Sequence, residues 1–427
     1  MKIVFSLLIL ITILIFQSCE NGVVLNFTPD RIGEISFIKS EKLASNGELN
    51  CNYADQSHKH NQRDSYYLYF ILKSDNDSPI NPYNPKFSKI KNTFSVELLK
   101  RVDKDGNIVY EKDNDIVVSD LEYLKFDNNL KEKQNFNFLI DLARYESCFD
   151  NDKNNCSLSG GFDDIKSLKG TMINELENYY FNFGNEDANF MEDECMGVKT
   201  YALSVMPDET ANSYTYKLLG ADVYLVDLAS IKARFKKYEE EEDNALYHRK
   251  LFDDYIAIAD KIKNEDDENK NIVVFTSGYD EGFYDTENVL NPQNKSSHTE
   301  SDFLNALNSD DKVQVFIAPE NRKDLKSFPD NEKSEKIDNG FYEIACKTNG
   351  AYFPFVYKAE WKKVNIKNDI QIVLKKIKYA SYGMWRVKVT INNNNTDRYY
   401  DGKIVIKAKD ARGEEIDDIK DDFRIVR

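Results

Sequence analysis

Apolar residues divide the chain into four stretches with different spacing. An uncharged, mostly apolar run occupies residues 3–16. Residues 19–133 contain short runs and alternating apolar and polar positions, which are typical of strands. Residues 134–357 mix short apolar runs with segments in which apolar residues recur every three or four positions, as in amphipathic helices. Alternation returns in residues 358–427. We therefore expect β-rich, α/β and β-rich regions in that order.

The first region is predicted to form a small all-β, sandwich-like unit. Residues 65–72 are an almost continuous aromatic and aliphatic run, as in a buried strand. An alternating stretch at 94–98 and an apolar stretch at 108–110 flank Asp105-Gly106. Two such stretches around an Asp-Gly dipeptide indicate a β-hairpin. Further strands are predicted at residues 22–27 and 35–38.

The middle region is predicted to be an α/β domain. Strands are expected at residues 136–142, 198–205, 272–276, 313–318 and 351–355. Helices are expected at residues 162–183, 230–263, 300–307 and 340–348. Strands that alternate with helices favour an open, mostly parallel sheet with helices on both faces. The predicted fold class is thus a three-layer α/β domain flanked by all-β, sandwich-like units.

The last region is predicted to be β-rich. Residues 385–391 alternate, and Asp401-Gly402 precedes a second alternating stretch that contains Ile404 and Ile406. Two arrangements remain open for these strands. They pack beside the first β unit, or they complete it, in which case the α/β domain is inserted between its two halves.

The N-terminal run has the three-part plan of a secretory signal peptide. Lys2 precedes an uncharged segment, and Gln17-Ser18-Cys19 follows it before the chain becomes polar at Glu20. The run is too short to span a bilayer comfortably. We therefore assign residues 1–18 to a signal peptide and exclude them from the fold.

A cysteine after a small residue at this position resembles the lipobox of bacterial lipoproteins, although Phe16 and Gln17 are not the favoured residues there. In that family the cysteine becomes the lipidated first residue of the mature chain. The resemblance implies lipid attachment at Cys19 and a bacterial envelope protein, anchored to a membrane on the periplasmic side or at the cell surface. The alternative is an ordinary export signal in which Cys19 has no special role.

The net charge of the chain bears on which partners it can bind. The formal net charge is -17, which argues against a nucleic-acid partner because phosphate binding needs clustered Lys and Arg.

In an exported protein disulfides are expected. Cys148 and Cys156 bracket a short polar loop and are predicted to pair. The pairing of Cys51, Cys195 and Cys346 stays open, with one thiol left over.

Four segments of the middle region resemble a von Willebrand factor A domain. They are residues 135–141 (NFNFLID), 244–251 (NALYHRKL), 270–278 (KNIVVFTSG), and 313–318 followed by 342–353 (YEIACKTNGAYF). In that family the corresponding segments are the first strand, the threonine loop, a later strand that ends in TDG, and the last strand–helix–strand unit. The resemblance covers residues 134–357 in the family's order.

The resemblance implies a metal-dependent adhesion site that this chain has largely lost. Asp141 matches the family's first metal-binding Asp. Ala143 and Tyr145 replace its two serines, Asn244 replaces its threonine, and Ser277 replaces its second Asp. One carboxylate with two neutral oxygens seldom holds magnesium against water. We therefore expect no cofactor.

The strand ends should nevertheless form a ligand rim, because ligands of open α/β sheets bind at the carboxyl ends of the strands. The predicted rim comprises Asp141, Asn244, Ser277, Asp280 and Glu281. The last two could supply carboxylates to magnesium or calcium from a shifted position.

These features together favour a membrane-anchored envelope lipoprotein whose A-type domain binds a protein partner or acts as a scaffold, and which is not an enzyme. The sequence has no nucleotide-binding glycine motif and no GxSxG elbow. The alternative is an envelope hydrolase with a carboxylate site, for which Asp141, Asp280 and Glu281 are the candidates. A purely structural envelope protein is a further alternative.

Overall fold

The computed structural model describes a defined part of the chain. The described residues are 32–52, 63–74, 80, 95–104, 107–124, 134–141, 175–176, 196–203, 216–217, 223–225, 251–264, 269–276, 283–284, 290–291, 296–307, 313–319, 339–353, 366–381, 383–392, 399–407 and 419–426. Within these residues, no helix is both long and apolar enough to cross a bilayer.

The secondary structure follows the predicted succession of strand-rich and mixed regions. The strands are β1 (Ile32–Lys42), β2 (Arg63–Ser74), β3 (Ser95–Lys104), β4 (Asn107–Lys112), β5 (Ile116–Leu124), β6 (Gln134–Asp141), β7 (Met196–Leu203), β8 (Tyr216–Lys217), β9 (Val223–Leu225), β10 (Asn269–Thr276), β11 (Phe283–Tyr284), β12 (Leu290–Asn291), β13 (Val313–Pro319), β14 (Ala351–Tyr352), β15 (Met384–Asn392), β16 (Tyr399–Lys407) and β17 (Ile419–Val426). The helices are α1 (Leu251–Lys263), α2 (Glu300–Leu307), α3 (Asn339–Lys347) and α4 (Ile366–Ala380).

The chain forms two compact units, and the first draws on both ends of the sequence. Unit 1 comprises Met1–Lys133, Asn189–Cys195 and Lys376–Arg427, and unit 2 comprises Gln134–Ala188 and Met196–Lys375. The chain passes from unit 2 into unit 1 within α4.

Unit 1 is built on two four-stranded antiparallel sheets. Their strand orders are β1-β2-β15-β5 and β17-β16-β3-β4. β15 pairs with β2 on one side and β5 on the other. β16 likewise pairs with both β17 and β3. The C-terminal strands therefore complete the N-terminal β unit. Strands from residues 19–133 and from residues 358–427 share both sheets, which is the second of the two arrangements left open above.

The core of unit 1 comes from alternate residues of these strands. Members include Leu68, Phe70, Leu98, Trp385, Val387 and Ile404. The Trp385 indole donates a hydrogen bond to the Ile80 carbonyl at 2.7 Å, and the Tyr123 ring packs edge-on at 5.1 Å from it. The buried indole N–H is therefore satisfied, which makes Trp385 a suitable core residue.

Gly402 lies inside β16, where a Cβ atom would come within 2.7 Å of the Phe423 ring.

One local feature differs from the sequence prediction. Helix α4 falls where a β pattern was expected. Its apolar residues Ile366, Ile370, Leu374 and Ile377 recur at intervals of four, four and three, which is helical spacing.

Unit 2 contains a mixed seven-stranded sheet in the order β14-β13-β10-β6-β7-β9-β8. Strands β14, β13, β10, β6 and β7 are parallel to their neighbours. β9 pairs antiparallel with β7, and β8 pairs antiparallel with β9. Unit 2 is therefore an α/β fold with a mostly parallel sheet, as predicted. The helix predicted at 162–183 is described only at Glu175 and Leu176, which are helical.

Helices α1, α2 and α3 share an aromatic cluster. Phe252 and Tyr255 of α1 contact Phe341 of α3 at ring separations of 5.8 and 6.3 Å. Tyr255 also lies 5.2 Å from Phe303 of α2. All four rings are buried. Burial of large apolar side chains is the main force that holds these helices together.

The residues Thr348-Asn349-Gly350, which follow α3, each have a structural reason. The Thr348 hydroxyl accepts a hydrogen bond from the Val315 backbone N–H at 3.1 Å and donates one to the Ile344 carbonyl at 2.8 Å. Asn349 adopts φ 55°, the left-handed conformation that commonly ends a helix and that Asn tolerates. Gly350 then passes close to β13. Each residue therefore meets a specific backbone requirement.

Candidate functional site

The centre of the parallel sheet is the candidate ligand site, because ligands of open α/β sheets bind where the strand order reverses. Chain order runs outward in opposite directions from β6 and β10, since β7 follows β6 on one side and β13 follows β10 on the other. This reversal is a topological switch point, where the carboxyl ends of the strands border a crevice. Phe275 pairs with Ile140, so the two strands end at the same level. Asp141 closes β6 and Thr276 closes β10.

The predicted rim residues are only partly described. Asp141 is the last residue of β6. Ser277 directly follows Thr276 in the sequence, and Thr276 is fully buried. The positions of Asn244, Ser277, Asp280 and Glu281 lie outside the described residues, as do Ala143 and Tyr145. Cys19, Cys148, Cys156 and Cys195 lie outside them as well.

The two described cysteines are both oxidised. Cys51 in unit 1 and Cys346 in unit 2 each take part in a disulfide bond. Disulfides are expected in exported proteins and are rare in the cytosol.

Three helices begin at the same edge of the sheet. α1, α2 and α3 precede β10, β13 and β14 respectively. Because β10, β13 and β14 are parallel, each preceding helix returns the chain to their common starting edge. The first turns of these helices therefore lie towards the carboxyl edge, on the side of Asp141 and Thr276.

A group of hydrogen bonds, which we call the clasp, joins the first turn of α1 to the residues before α2. The clasp consists of Asp253, Ser296, Ser297 and His298. Ser296 Oγ accepts hydrogen bonds from the backbone N–H groups of Phe252 and Asp253 at 3.0 and 3.4 Å. Ser296 thus satisfies amides in the first turn of α1, which have no partner within the helix.

Asp253 completes the clasp in the opposite direction. Its carboxylate accepts the backbone N–H groups of Ser297 and His298 at 3.2 and 3.1 Å. It also accepts the Ser297 hydroxyl at 3.1 Å, and His298 Nδ1 lies 2.8 Å from Asp253 Oδ1. Burial raises the pKa of Asp253, but hydrogen bonds from His298 and Ser297 outweigh it and hold the pKa below its usual value.

The clasp is not a catalytic triad despite its Ser, His and Asp. Ser297 Oγ lies 3.2 Å from His298 Nδ1, the same nitrogen that contacts Asp253. A triad needs the serine on one ring nitrogen and the carboxylate on the other. Ser297 Oγ also donates to Asp253 directly. The arrangement therefore fits a link between two segments rather than an activated nucleophile.

Next to the clasp, Thr299 and Asp302 form a capping box at the start of α2. Asp302 Oδ2 accepts the Thr299 backbone N–H at 2.8 Å, and Thr299 Oγ1 accepts the Asp302 backbone N–H at 3.3 Å. Hydrogen bonds from Thr299 lower the pKa of Asp302. These bonds stay within one segment, unlike those of the clasp.

The described residues offer little for a metal ion. Among them, no group of three or more His, Cys, Asp or Glu side chains could hold one. Asp141 is the described member of the predicted ligand set, and a hard divalent cation needs several oxygen ligands.

The sequence interpretation did not identify the clasp. Thr299 and Asp302 have the spacing of a capping box, and this signal alone would have located the start of α2. The partner of Ser297 and His298, however, is Asp253, more than forty positions earlier in the chain. No local pattern in the sequence points to that pairing.

No protein-family model matches the sequence, and no curated protein matches it either. Among solved structures, the chain is similar to the human COPII-coat protein Sec24c, with 9% identity and a TM-score of 0.34 over 95% of this chain and 63% of that chain. The chain therefore spans less than two thirds of Sec24c.

Two prokaryotic structures are also similar. The ArnB paralog VWA2 from Sulfolobus acidocaldarius shows 10% identity and a TM-score of 0.28, over 92% of this chain and 76% of that chain. A point mutant of the PilB minor pilin from Streptococcus sanguinis shows 12% identity and a TM-score of 0.30, over 80% of this chain and 79% of that chain. The class of the protein is defined by its own strand order: an α/β unit with a mostly parallel sheet, whose chain is preceded and followed by the strands of a β unit.

Proposed function

We propose that this chain is an envelope lipoprotein whose unit 2 is a von Willebrand A-like module that binds a protein partner or acts as a scaffold at the carboxyl edge of its sheet. The observation that carries the proposal is the switch point between β6 and β10. It lies where the sequence segments 135–141 and 270–278 resemble the ligand-binding strands of that family.

Binding at this rim is proposed to work without a metal ion. Ser277 and Asn244 replace residues that give the family's site its charge and its hydroxyl group. A partner would then be held by the polar side chains of the rim. Such a surface suits a protein ligand, which makes many moderate contacts, better than a small substrate that must be enclosed.

The proposed location outside the cytoplasm rests on two observations. Residues 1–18 have the plan of a signal peptide and are followed by Cys19. Cys51 and Cys346 are oxidised, and disulfides are rare in the cytosol.

Photocrosslinking in intact cells tests the proposal. A benzoylphenylalanine residue is introduced at Ser277, next to the carboxyl edge, or at Asn264, which is exposed in the turn after α1. Because α1 runs from the carboxyl edge to the amino edge, Asn264 is a matched control on the other side. A partner that crosslinks at Ser277 and not at Asn264 supports the rim. Equal crosslinking at both positions, or none at Ser277, contradicts it.

A further inference from the structure

We infer that Asp253 is a positioning residue that holds the first turns of α1 and α2 together at the carboxyl edge of the sheet, where the proposed rim lies. The inference deepens the proposed function and rests on it for its biological meaning. Its structural part rests on the clasp alone.

The clasp joins the two connections that carry the rim candidates. One leads into α1 and carries Asn244 seven residues before the helix begins. The other leaves β10 and contains β11 and β12 before it reaches Ser296. Residues 296–298 are thus the point at which the residues before α2 are attached to the first turn of α1.

The bonds of the clasp are reciprocal. Ser296 accepts from two amides of α1, while Asp253 of α1 accepts from two amides and a hydroxyl of Ser297 and His298. A single helix cap would need only one of these directions. Reciprocal bonds restrain both segments, so that movement of one displaces the other.

Charge strengthens the part of the clasp that Asp253 contributes. Hydrogen bonds to an ionised acceptor are shorter and stronger than neutral ones. His298 contacts this carboxylate directly, and His298 also helps to lower the pKa of Asp302 on α2. The Asp253 side chain is about one fifth exposed, at 21%.

Hydrogen exchange of the full-length protein measures the clasp without any partner. In Asp253→Ala the backbone amides of Ser297 and His298 should exchange about tenfold faster, which corresponds to the loss of one charge-assisted hydrogen bond. Asp253→Asn retains one oxygen acceptor and should give an intermediate increase. Asp302→Ala is the matched control, because it removes a capping carboxylate that bonds only within its own segment. Equal protection of these amides in wild type and Asp253→Ala overturns the inference.

Crosslinking at Ser277 then connects the clasp to the rim. Asp253→Ala should reduce the yield of the crosslinked partner, whereas Asp302→Ala should leave it close to that of wild type. If both variants reduce the yield equally, Asp253 has no special positioning role and the inference fails. Absence of a crosslink in the wild type would instead count against the proposed function, while the exchange measurement would still test the clasp.

Discussion

Gly350 lies so close to β13 that a Cβ atom on it would stand 1.8 Å from the Val315 carbonyl oxygen. The nearby Thr348 hydroxyl accepts a hydrogen bond from the Val315 backbone N–H at 3.1 Å. Helix α3 is thus joined to the sheet through backbone contacts that leave no room for a side chain. Only glycine fits at position 350, and the reason is space rather than an unusual dihedral angle.

Gly350→Ala should therefore destabilise unit 2 severely, by more than about 4 kcal/mol, because no rotamer change can relieve a clash with backbone. Gly340→Ala is the matched control. Its Cβ atom would meet only the flexible end of Glu300, at 2.6 Å, and alanine favours the helix by about 1 kcal/mol. Urea unfolding followed by circular dichroism gives both values. A Gly350→Ala protein as stable as the control would contradict the close approach.

Residues 19–133 should not fold without the C-terminal strands. β15 lies between β2 and β5, and β16 joins β17 to β3. Without them each sheet loses a central strand together with core residues such as Trp385 and Val387. We expect residues 19–133 to lack a cooperative thermal transition, and the same segment linked to residues 376–427 to regain one. Calorimetry of the two proteins compares them directly, and a cooperative transition in residues 19–133 alone would refute the shared sandwich.

The strands of both units could largely be predicted from the sequence, but their partners could not. Alternation in residues 385–391 predicted a strand because the period of side chains in a strand is two. Nothing local shows that its neighbours are β2 and β5, which lie some three hundred positions away. Sheet order depends on which apolar faces pack in three dimensions. The sequence therefore left open whether the two β regions are one unit.

Helix α4 was missed although the sequence contained the signal for it. Its spacing of apolar residues was visible in the sequence, yet the β-rich stretch that follows dominated the interpretation. Leu374 and Ile377 are fully buried, while Ile372 is half exposed, as expected for an amphipathic helix. The clasp at the candidate site escaped prediction for a different reason, since it joins distant segments through hydrogen bonds that carry no sequence period.

The contribution of Asp253 to stability should depend on pH. Its pKa is lowered in the folded protein, so its ionised form is stabilised by folding. The stabilisation is present above the unfolded pKa, about 3.9, and is lost as the pH falls through the lowered folded value. Wild type should exceed Asp253→Asn by about 1 kcal/mol in free energy of unfolding at pH 5. The difference should shrink towards pH 2.5, and urea unfolding at both pH values measures it. A difference that grows on acidification would reverse the assigned sign.

Cys19→Ala should release the protein from membranes. Lipid at Cys19 would hold the mature chain to a bilayer through buried acyl chains, and alanine cannot carry it. Phase separation in a cloud-point detergent should place the wild type in the detergent phase and the variant in the aqueous phase. Cys51→Ala serves as a control, since it also removes a cysteine but leaves the proposed anchor in place. Identical partitioning of wild type and Cys19→Ala would contradict lipidation.

The most direct measurement is the crosslinking yield at Ser277 in membranes washed with EDTA and then supplied with magnesium. A rim that binds its partner without metal predicts the same yield in both conditions, and no magnesium binding by calorimetry at micromolar affinity. A yield that disappears in EDTA and returns with magnesium, together with a binding isotherm lost in Asp141→Ala, would contradict metal-independent binding and show that the site retains the family's adhesion chemistry.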